Sequence, residues 1–424
     1  MGLLVSSLEV TDGTVRLTDE AAQPSLEVTL RDVDAAIKDI SLAGPIQVQA
    51  SMALFSDRPD LTIHGRLYPP RDGQAARIER LRLEADLSRV DVEALARALP
   101  AVERLGLRER LAGALQVSVD RLTLDPEGLA GLTAQAHLSQ GRLALSALAS
   151  AFENLNVDLI AQPGRVELKR GSFTVAGGTV AITALTDHLA TAADLTFQIN
   201  IDAVRLEALL PASATEPHLQ GRLAASFHGT CQGLTPTDAA HTLSGEGTLR
   251  LSEVKILNLN LLRAALERLS VLPGLMERLE ARLPKSSKAK LAEHDTVLQP
   301  IEVPVTADRG ILHFTHLRLA TDLCELEGAA AMELDGTLTG PLTLRIEPEL
   351  SAAMIGSVKE LQNLTDAKGR VEFPVMLQGK LPRVVPIPDV QYVASRLVVM
   401  KAEELLGNFL QKALEKQSGA PSGP

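Results

Sequence analysis

The sequence predicts a mainly β protein of the α+β type: an elongated, repetitive antiparallel sheet that curves into a groove and carries a few peripheral amphipathic helices. Short runs of alternating apolar and polar residues recur along the 424 residues. Such alternation, divided by glycine-containing turns, is typical of hairpins. Strand-and-helix units also repeat, as expected of a stacked array. The candidate turns include Asp12-Gly13, Gly141, Pro163-Gly164, Gly245, Gly310, Gly328 and Asp335-Gly336.

The clearest predicted strand is the segment 195–202, which reads Leu-Thr-Phe-Gln-Ile-Asn-Ile-Asp. Side chains alternate across a strand, so Leu195, Phe197, Ile199 and Ile201 share one face. An apolar sheet face has to be buried: in a dry core, under helices or against apolar ligands. An aliphatic face with few aromatic residues suits acyl chains. These four residues are therefore the candidate lining of a lipid groove, and a dry sandwich core is the alternative.

Four helices are predicted from apolar periodicity and capping residues. Asp91 is the expected N-cap of the first, and prolines interrupt the first and third. We expect a disordered Ser/Gly/Pro-rich tail at 417–424. The predicted helices are Asp91–Leu111, Val204–Leu210, Asn258–Leu283 and Val390–Lys416.

Composition and motifs argue against several function classes. The net charge is −11 and aromatic residues make up 2% of the chain, which disfavours nucleic-acid binding. The common hydrolase, zinc-protease and nucleotide-binding motifs are absent. We therefore expect no enzymatic activity, no cofactor and no metal. Cys231 and Cys324 form no CxxC pair; they are either a disulfide or two buried thiols, and their apolar surroundings favour thiols.

A basic cluster lies at the end of the third predicted helix in this acidic chain. Such a cluster could contact anionic lipid headgroups, or it could be a solvated helix end whose cations suit the helix dipole. The candidate headgroup contacts are Arg278, Arg282, Lys285, Lys288 and Lys290.

Three segments in the second half resemble the AsmA family of bacterial envelope proteins, which includes relatives of the TamB type. A Gly-x-Gly strand leads into a helix at 243–262, a strand run covers 308–338, and 373–389 resembles the family's closing segment. Their order over 243–389 carries the resemblance. The Gln-Gly-Arg-Leu motifs at 140–143 and 220–223 extend it towards the N-terminus.

The resemblance implies a non-enzymatic periplasmic protein, associated with the inner membrane, that conducts phospholipids towards the outer membrane and supports its integrity. Its partners would be phospholipids, the membrane surface and other envelope proteins. The alternative is an assembly factor for outer-membrane proteins that docks partners through β-edges. Family members usually begin with a transmembrane helix, whereas this chain begins within a strand pattern. We therefore expect the C-terminal portion of a longer protein, or a chain without its anchor.

These patterns predict five regions. They are an N-terminal β-rich repeat with a closing helix (1–115), a second β-rich repeat (116–215), an AsmA-like region (216–389), a C-terminal helix (390–416) and the disordered tail (417–424).

Overall fold

A computed structural model describes residues 5–19, 26–41, 44–70, 75–98, 111–124, 132–145, 150–187, 194–209, 219–233, 236–269, 274–381 and 383–396. The 20 strands found there belong to one antiparallel sheet, which confirms the mainly β prediction. The chain divides into two structural units. Unit 1 comprises Met1–Pro217 and Arg222–Thr248, and unit 2 comprises His218–Gly221 and Leu249–Pro424.

From β1 to β12, each strand pairs antiparallel with the next along the chain. The division between the units passes through β12 and β13. The first 13 strands are β1 (Val5–Asp19), β2 (Leu26–Ile40), β3 (Ile46–Leu54), β4 (Leu61–Tyr68), β5 (Ala76–Asp86), β6 (Ala112–Leu124), β7 (Thr133–Leu143), β8 (Phe152–Gln162), β9 (Arg165–Val175), β10 (Gly178–Asp187), β11 (Asp194–Arg205), β12 (Leu219–Gln232) and β13 (Ser244–Ile256).

The remaining strands belong to unit 2. β13 pairs with β14, and from β15 onwards each strand again pairs with its successor. They are β14 (Thr296–Val297), β15 (Ile301–Asp308), β16 (Ile311–Ala320), β17 (Cys324–Glu333), β18 (Thr337–Ile346), β19 (Glu372–Lys380) and β20 (Arg383–Pro388).

Some of the predicted glycine turns are turns, and others lie within strands. Turns form at Pro163-Gly164, Gly310 and Gly336. The prediction was wrong at Asp12-Gly13, where β1 continues through a bulge and Asp12 has a φ of 54°. Bulges of this kind insert a residue and bend a strand without ending it.

Gly141, Gly245 and Gly328 also lie inside strands rather than in turns. Two of them mark close backbone approaches. A Cβ built on Gly245 would collide with the carbonyl oxygen of His228, and one on Gly328 would collide with that of Pro341. These glycines therefore allow neighbouring strands to approach closely.

The described helices are short. They are α1 (Val92–Ala98), α2 (Pro236–Thr242), α3 (Leu261–Glu267), α4 (Leu275–Arg282), α5 (Lys285–Ala292) and α6 (Pro348–Ser357), with 3-10 turns at Leu87–Arg89, Leu206–Ala208 and Lys359–Leu364. Residues 390–396 are also helical.

The N-cap prediction for α1 is confirmed, because Asp91 Oδ1 accepts the N–H groups of Glu93 and Ala94 at 2.9 and 3.1 Å. The helix predicted at Val204–Leu210 is wrong, since β11 continues to Arg205 and only a 3-10 turn follows. The helix predicted over Asn258–Leu283 exists as α3 and α4. Residues 99–110, Pro273, 397–416 and the tail at 417–424 lie outside the described residues.

Unit 2 has an extensive hydrophobic core. Its cluster of buried residues contains side chains from β15 to β19 together with residues of α3, α4, α5 and α6. Leu344, Leu326 and Phe373 are at most 1% exposed. The buried hydroxyl of Ser351 donates to the carbonyl of Ile346 and accepts the N–H of Val371, so α6 is held to the sheet by polar contacts as well as by packing.

Candidate functional site

Strand register aligns an uninterrupted apolar row across unit 1. The row takes one residue from each of β1 to β12, and no member carries a polar side chain. Since neighbouring strands lie about 4.8 Å apart, it crosses roughly 50 Å of sheet. This middle row consists of Val10, Ala35, Ala50, Ile63, Leu83, Val117, Ala136, Leu159, Leu168, Ala184, Phe197 and Gly229.

Two further rows flank the middle row on the same face, because residues two apart on a strand point the same way. One consists of Met52, Leu61, Ala85, Leu115, Leu138, Val157, Gly171, Ile182, Ile199 and Phe227. The other consists of Leu81, Val119, Ala134, Ala161, Val166, Thr186, Leu195 and Cys231. The three rows together are the apolar face of unit 1.

The four predicted lining residues all lie on β11. Leu195, Phe197 and Ile199 each belong to a different row, and Ile201 pairs with Val180 just beyond them. All four are half-buried, whereas the polar residues that alternate with them are exposed. The structure therefore places them on one continuous apolar surface. Whether that surface holds lipid stays a prediction.

Most residues of the apolar face are half-buried rather than fully buried. Full burial among the described residues of unit 1 is concentrated in clusters of three or four side chains. Several apolar residues of β1 are exposed, with Leu8 at 48%, Val10 at 39% and Val15 at 41%. Contiguous apolar surface of this kind marks a site for an apolar ligand or a partner.

Two phenylalanine rings form an aromatic patch on this face. The rings of Phe197 and Phe227 stack with centroids 6.0 Å apart and an interplanar angle of 26°. Phe227 also covers three glycines, since a Cβ on Gly229, Gly245 or Gly247 would lie 2.9 Å from its ring. The sequence pattern identified Phe197 but missed Phe227. The alternation of β12 could have identified Phe227, because this residue faces the same side as Ala225 and Gly229.

The opposite face of the same strands is polar. Register sets His137, Asp158 and Arg170 side by side on β7, β8 and β9. Arg170 Nη2 lies 2.6 Å from Asp158 Oδ2. The hydrogen bond with His137, followed by the charge of Arg170, lowers the pKa of Asp158. The sheet of unit 1 is thus amphipathic, with one apolar and one hydrated face.

The predicted basic cluster lies on α4 and α5 in unit 2. Arg278 Nη2 forms an ion pair with Glu360 at 3.2 Å, and Arg282 Nη1 donates to the carbonyl of Ser357 at 3.1 Å. The two arginines thus connect α4 to the last residue of α6 and to the 3-10 turn that follows it. Lys285 and Lys290 are exposed, and Lys288 donates to the carbonyl of Ala281. Contact of these five residues with headgroups stays a prediction.

Both cysteines are free thiols and both are buried. Burial raises the pKa of Cys324 to about 11 and also raises that of Cys231, so neither is an activated nucleophile. Within the described ranges, no group of three His, Cys, Asp or Glu residues is arranged to hold a metal. Over the same residues, no helix is long and apolar enough to cross a membrane.

Comparison with known families identifies a match to the AsmA family over residues 108–271. This match, which spans about two fifths of the chain, supports an AsmA-family protein and so confirms the resemblance. It shares only 243–271 with the segment expected to carry the resemblance, and it includes both Gln-Gly-Arg-Leu motifs. It also contains β11 and the four predicted lining residues. The family is associated with the bacterial envelope. Comparison with curated proteins and with solved structures found no match.

Proposed function

We propose that this AsmA-family protein binds and conducts lipids in the periplasm, with acyl chains on the apolar face of unit 1 and headgroups in solvent. In this role it supports phospholipid transport between the inner and outer membranes and the integrity of the outer membrane. The observation that carries the proposal is the middle row, whose apolar side chains continue across twelve strands.

The chemistry of the face suits acyl chains better than other ligands. Its side chains are mostly Leu, Val, Ile and Ala, which attract apolar surface without fixing its orientation. A ligand held in this way can move along the row, because each strand offers a similar environment. A site for an orienting ligand would instead need a few convergent polar groups. The protein therefore acts without catalysis, and its partners are phospholipids and the membranes that supply and receive them.

Lipid loading of matched variants tests this proposal. The protein is purified in mild conditions, and its bound lipids are counted by native mass spectrometry and identified after extraction. Phe197→Glu places a charge on the apolar face, and we expect it to remove most of the phospholipid bound by the unaltered protein. Gln198→Glu introduces the same carboxylate one residue along β11 on the hydrated face, and we expect normal loading. A lipid-free unaltered protein, or equal loading of both variants, would overturn the proposal.

A second candidate function is assembly of outer-membrane proteins by partner docking. The observation that favours it is β1, whose apolar residues Leu8, Val10 and Val15 are 39–48% exposed. An incoming strand would cover them. Under this alternative, Val10→Lys abolishes capture of an envelope protein while lipid loading is unchanged. Loss of lipid without loss of a partner would favour transport.

A further inference from the structure

Unit 1 contains a second feature, an open cavity of about 600 Å³ formed by β2 to β6. Four basic side chains line it: Lys38, Arg66, Arg80 and Arg82. Asp120 is the one acidic residue among its 14 lining residues. The local charge is therefore positive in a chain whose net charge is −11.

Strand register places the polar lining of this cavity on the hydrated face. Lys38, Gln47 and Arg66 form one row across β2, β3 and β4. Gln49, His64, Arg82 and Ser118 form the next row, across β3 to β6. Both rows alternate with residues of the apolar face, so these polar side chains lie on the hydrated face. Leu81 and Val119, which belong to the apolar face, also contribute to the cavity lining.

A bulge adds the fourth cation. The pairing of β4 with β5 shifts between His64 and Arg66, and Arg80 has a left-handed φ of 54°. Arg80 thus has no partner on β4 and adds a guanidinium to the cavity lining. The unshifted pairing of β5 with β6 aligns it with Asp120. Left-handed backbone is costly for a long side chain, so the bulge concentrates charge at the expense of local conformational energy.

These cations differ from others on the same strands. Arg77 and Arg121 both lie near Glu79, at 3.1 and 3.7 Å, and Arg170 pairs with Asp158. In the described part of the chain, the four cavity cations form no ion pair. Asp120 in the lining and Glu79, the register partner of Arg66, leave an excess of cations. Like charges in excess repel one another, and a bound anion would relieve that repulsion.

We propose that this cavity binds a phosphate-bearing anion. Guanidinium groups match phosphate oxygens with paired donors, and Gln49 and Ser118 add neutral donors to the lining. A volume of about 600 Å³ lies in the range of small-molecule sites and exceeds what one inorganic phosphate needs. The phosphate belongs either to a lipid headgroup or to a soluble phosphate compound. The site does not depend on the proposed acyl-chain function, because its cations lie on the hydrated face and alternate with the apolar rows.

Calorimetric titration of the full chain with inorganic pyrophosphate at low ionic strength tests the site. We expect saturable binding of one pyrophosphate per chain and at least tenfold weaker binding by Arg66→Gln/Arg82→Gln. Arg165→Gln/Lys169→Gln removes the same charge from exposed positions on β9 and should bind within twofold of the unaltered protein. Absence of saturable binding, or equal weakening in both double variants, would overturn the proposal.

Vesicle flotation distinguishes the two sources of phosphate. Vesicles containing phosphatidylglycerol are compared with vesicles of phosphatidylcholine alone. The phosphate belongs to a lipid headgroup if the protein floats with the phosphatidylglycerol vesicles, if Arg66→Gln/Arg82→Gln does not, and if pyrophosphate competes with this binding. Pyrophosphate binding without retention assigns a soluble phosphate compound. Circular dichroism of each variant verifies folding, and Lys38→Gln provides a milder second variant expected to weaken binding by a smaller factor. Lipid loading of the same variants should stay normal, which separates this site from the proposed function.

Discussion

Two strands with the same alternating pattern have different surroundings in the two units. In β15 of unit 2, Ile301, Val303 and Val305 are at most 7% exposed. In β11 of unit 1, Phe197 and Ile199 occupy equivalent alternate positions and are only half-buried. Both strands have exposed polar residues on the other face. The alternation therefore determines which side is apolar but not whether that side is covered.

The helices account for the difference. Between β13 and β15, unit 2 contains α3, α4 and α5, and residues of all three belong to its core cluster. Among the residues that the structure describes, that cluster has 32 buried members, whereas the clusters of unit 1 have four, four and three. Unit 1 contributes two described helices of seven residues each. Unit 2 thus has the dry core, and unit 1 has the accessible apolar face.

The largest expected effect is on the free energy of unfolding, when one leucine in each unit is replaced by alanine. Leu344→Ala removes a side chain with 0% exposure from the unit 2 core, and we expect a cost of about 2–5 kcal/mol. Leu83→Ala acts on the half-buried middle row of unit 1, and we expect about 1 kcal/mol because fewer of its atoms leave contact. Hydrogen exchange of peptides from each unit along a urea series measures both values.

A chain of two units need not unfold in one two-state step, so a single midpoint for the whole chain would not suffice. Each variant is therefore compared with the unaltered protein within its own unit, and the other unit is the internal control. Equal losses of unfolding free energy in the two variants would contradict the comparison. They would mean that the apolar face of unit 1 is as completely buried as the core of unit 2.

Much of the sheet could be predicted from local pattern. The alternation at 195–202 predicted β11 and its apolar face, and Asp91 predicted the start of α1. The glycines predicted some turns wrongly, because glycine occurs both in turns and where two strands approach closely. Gly245 and Gly328 could as well mark turns as close strand approaches, because only the neighbouring strand decides between them. The composition of Val204–Leu210 predicted a helix. Instead, Val204 pairs with Leu223 and extends β11.

The candidate site was harder to predict than the strands. Leu195, Phe197, Ile199 and Ile201 were identified from one strand, whereas the middle row exists only through the register of eleven strand pairs. The basic cavity was not predicted at all. Lys38, Arg66 and Arg82 are far apart in sequence, and a bulge adds Arg80. Residues brought together by pairing and by a register shift carry no local sequence pattern.

The two cysteines provide a smaller, site-specific test of the comparison, since Cys231 belongs to unit 1 and Cys324 to unit 2. With a pKa of about 11, only about one Cys324 thiol in a thousand is ionised at pH 8. Labelling at that pH therefore reports opening of the surrounding structure. We expect Cys231 to react at lower urea concentration than Cys324, because the smaller clusters of unit 1 open first.

The variants Cys231→Ser and Cys324→Ser assign each labelling rate to one residue. Labelling of both thiols at the same urea concentration would mean that the units open together, and earlier labelling of Cys324 would reverse their order of stability.

The smallest effect is expected at a surface ion pair of unit 2. We attribute the stability of this unit to its hydrophobic core rather than to surface charges. Lys380 Nζ lies 2.8 Å from Asp335 Oδ2. This bond and the N–H of Thr337 lower the pKa of Asp335 to about 2 from its ordinary 3.8. A lowered folded-state pKa means that the pair stabilises the fold above about pH 4 and that this contribution disappears as the pH falls through about 2.

Lys380→Gln should therefore lower the stability of unit 2 slightly at pH 6, far less than Leu344→Ala does, since exposed pairs contribute little. The difference from the unaltered protein should shrink as the pH falls from about 4 to about 2. Lys359→Gln, which removes an exposed cation from the same unit, should show no such pH dependence. Thermal unfolding across this pH range provides the measurement. A loss in Lys380→Gln as large as that in Leu344→Ala would mean that surface charges, rather than the covering helices, distinguish unit 2 from unit 1.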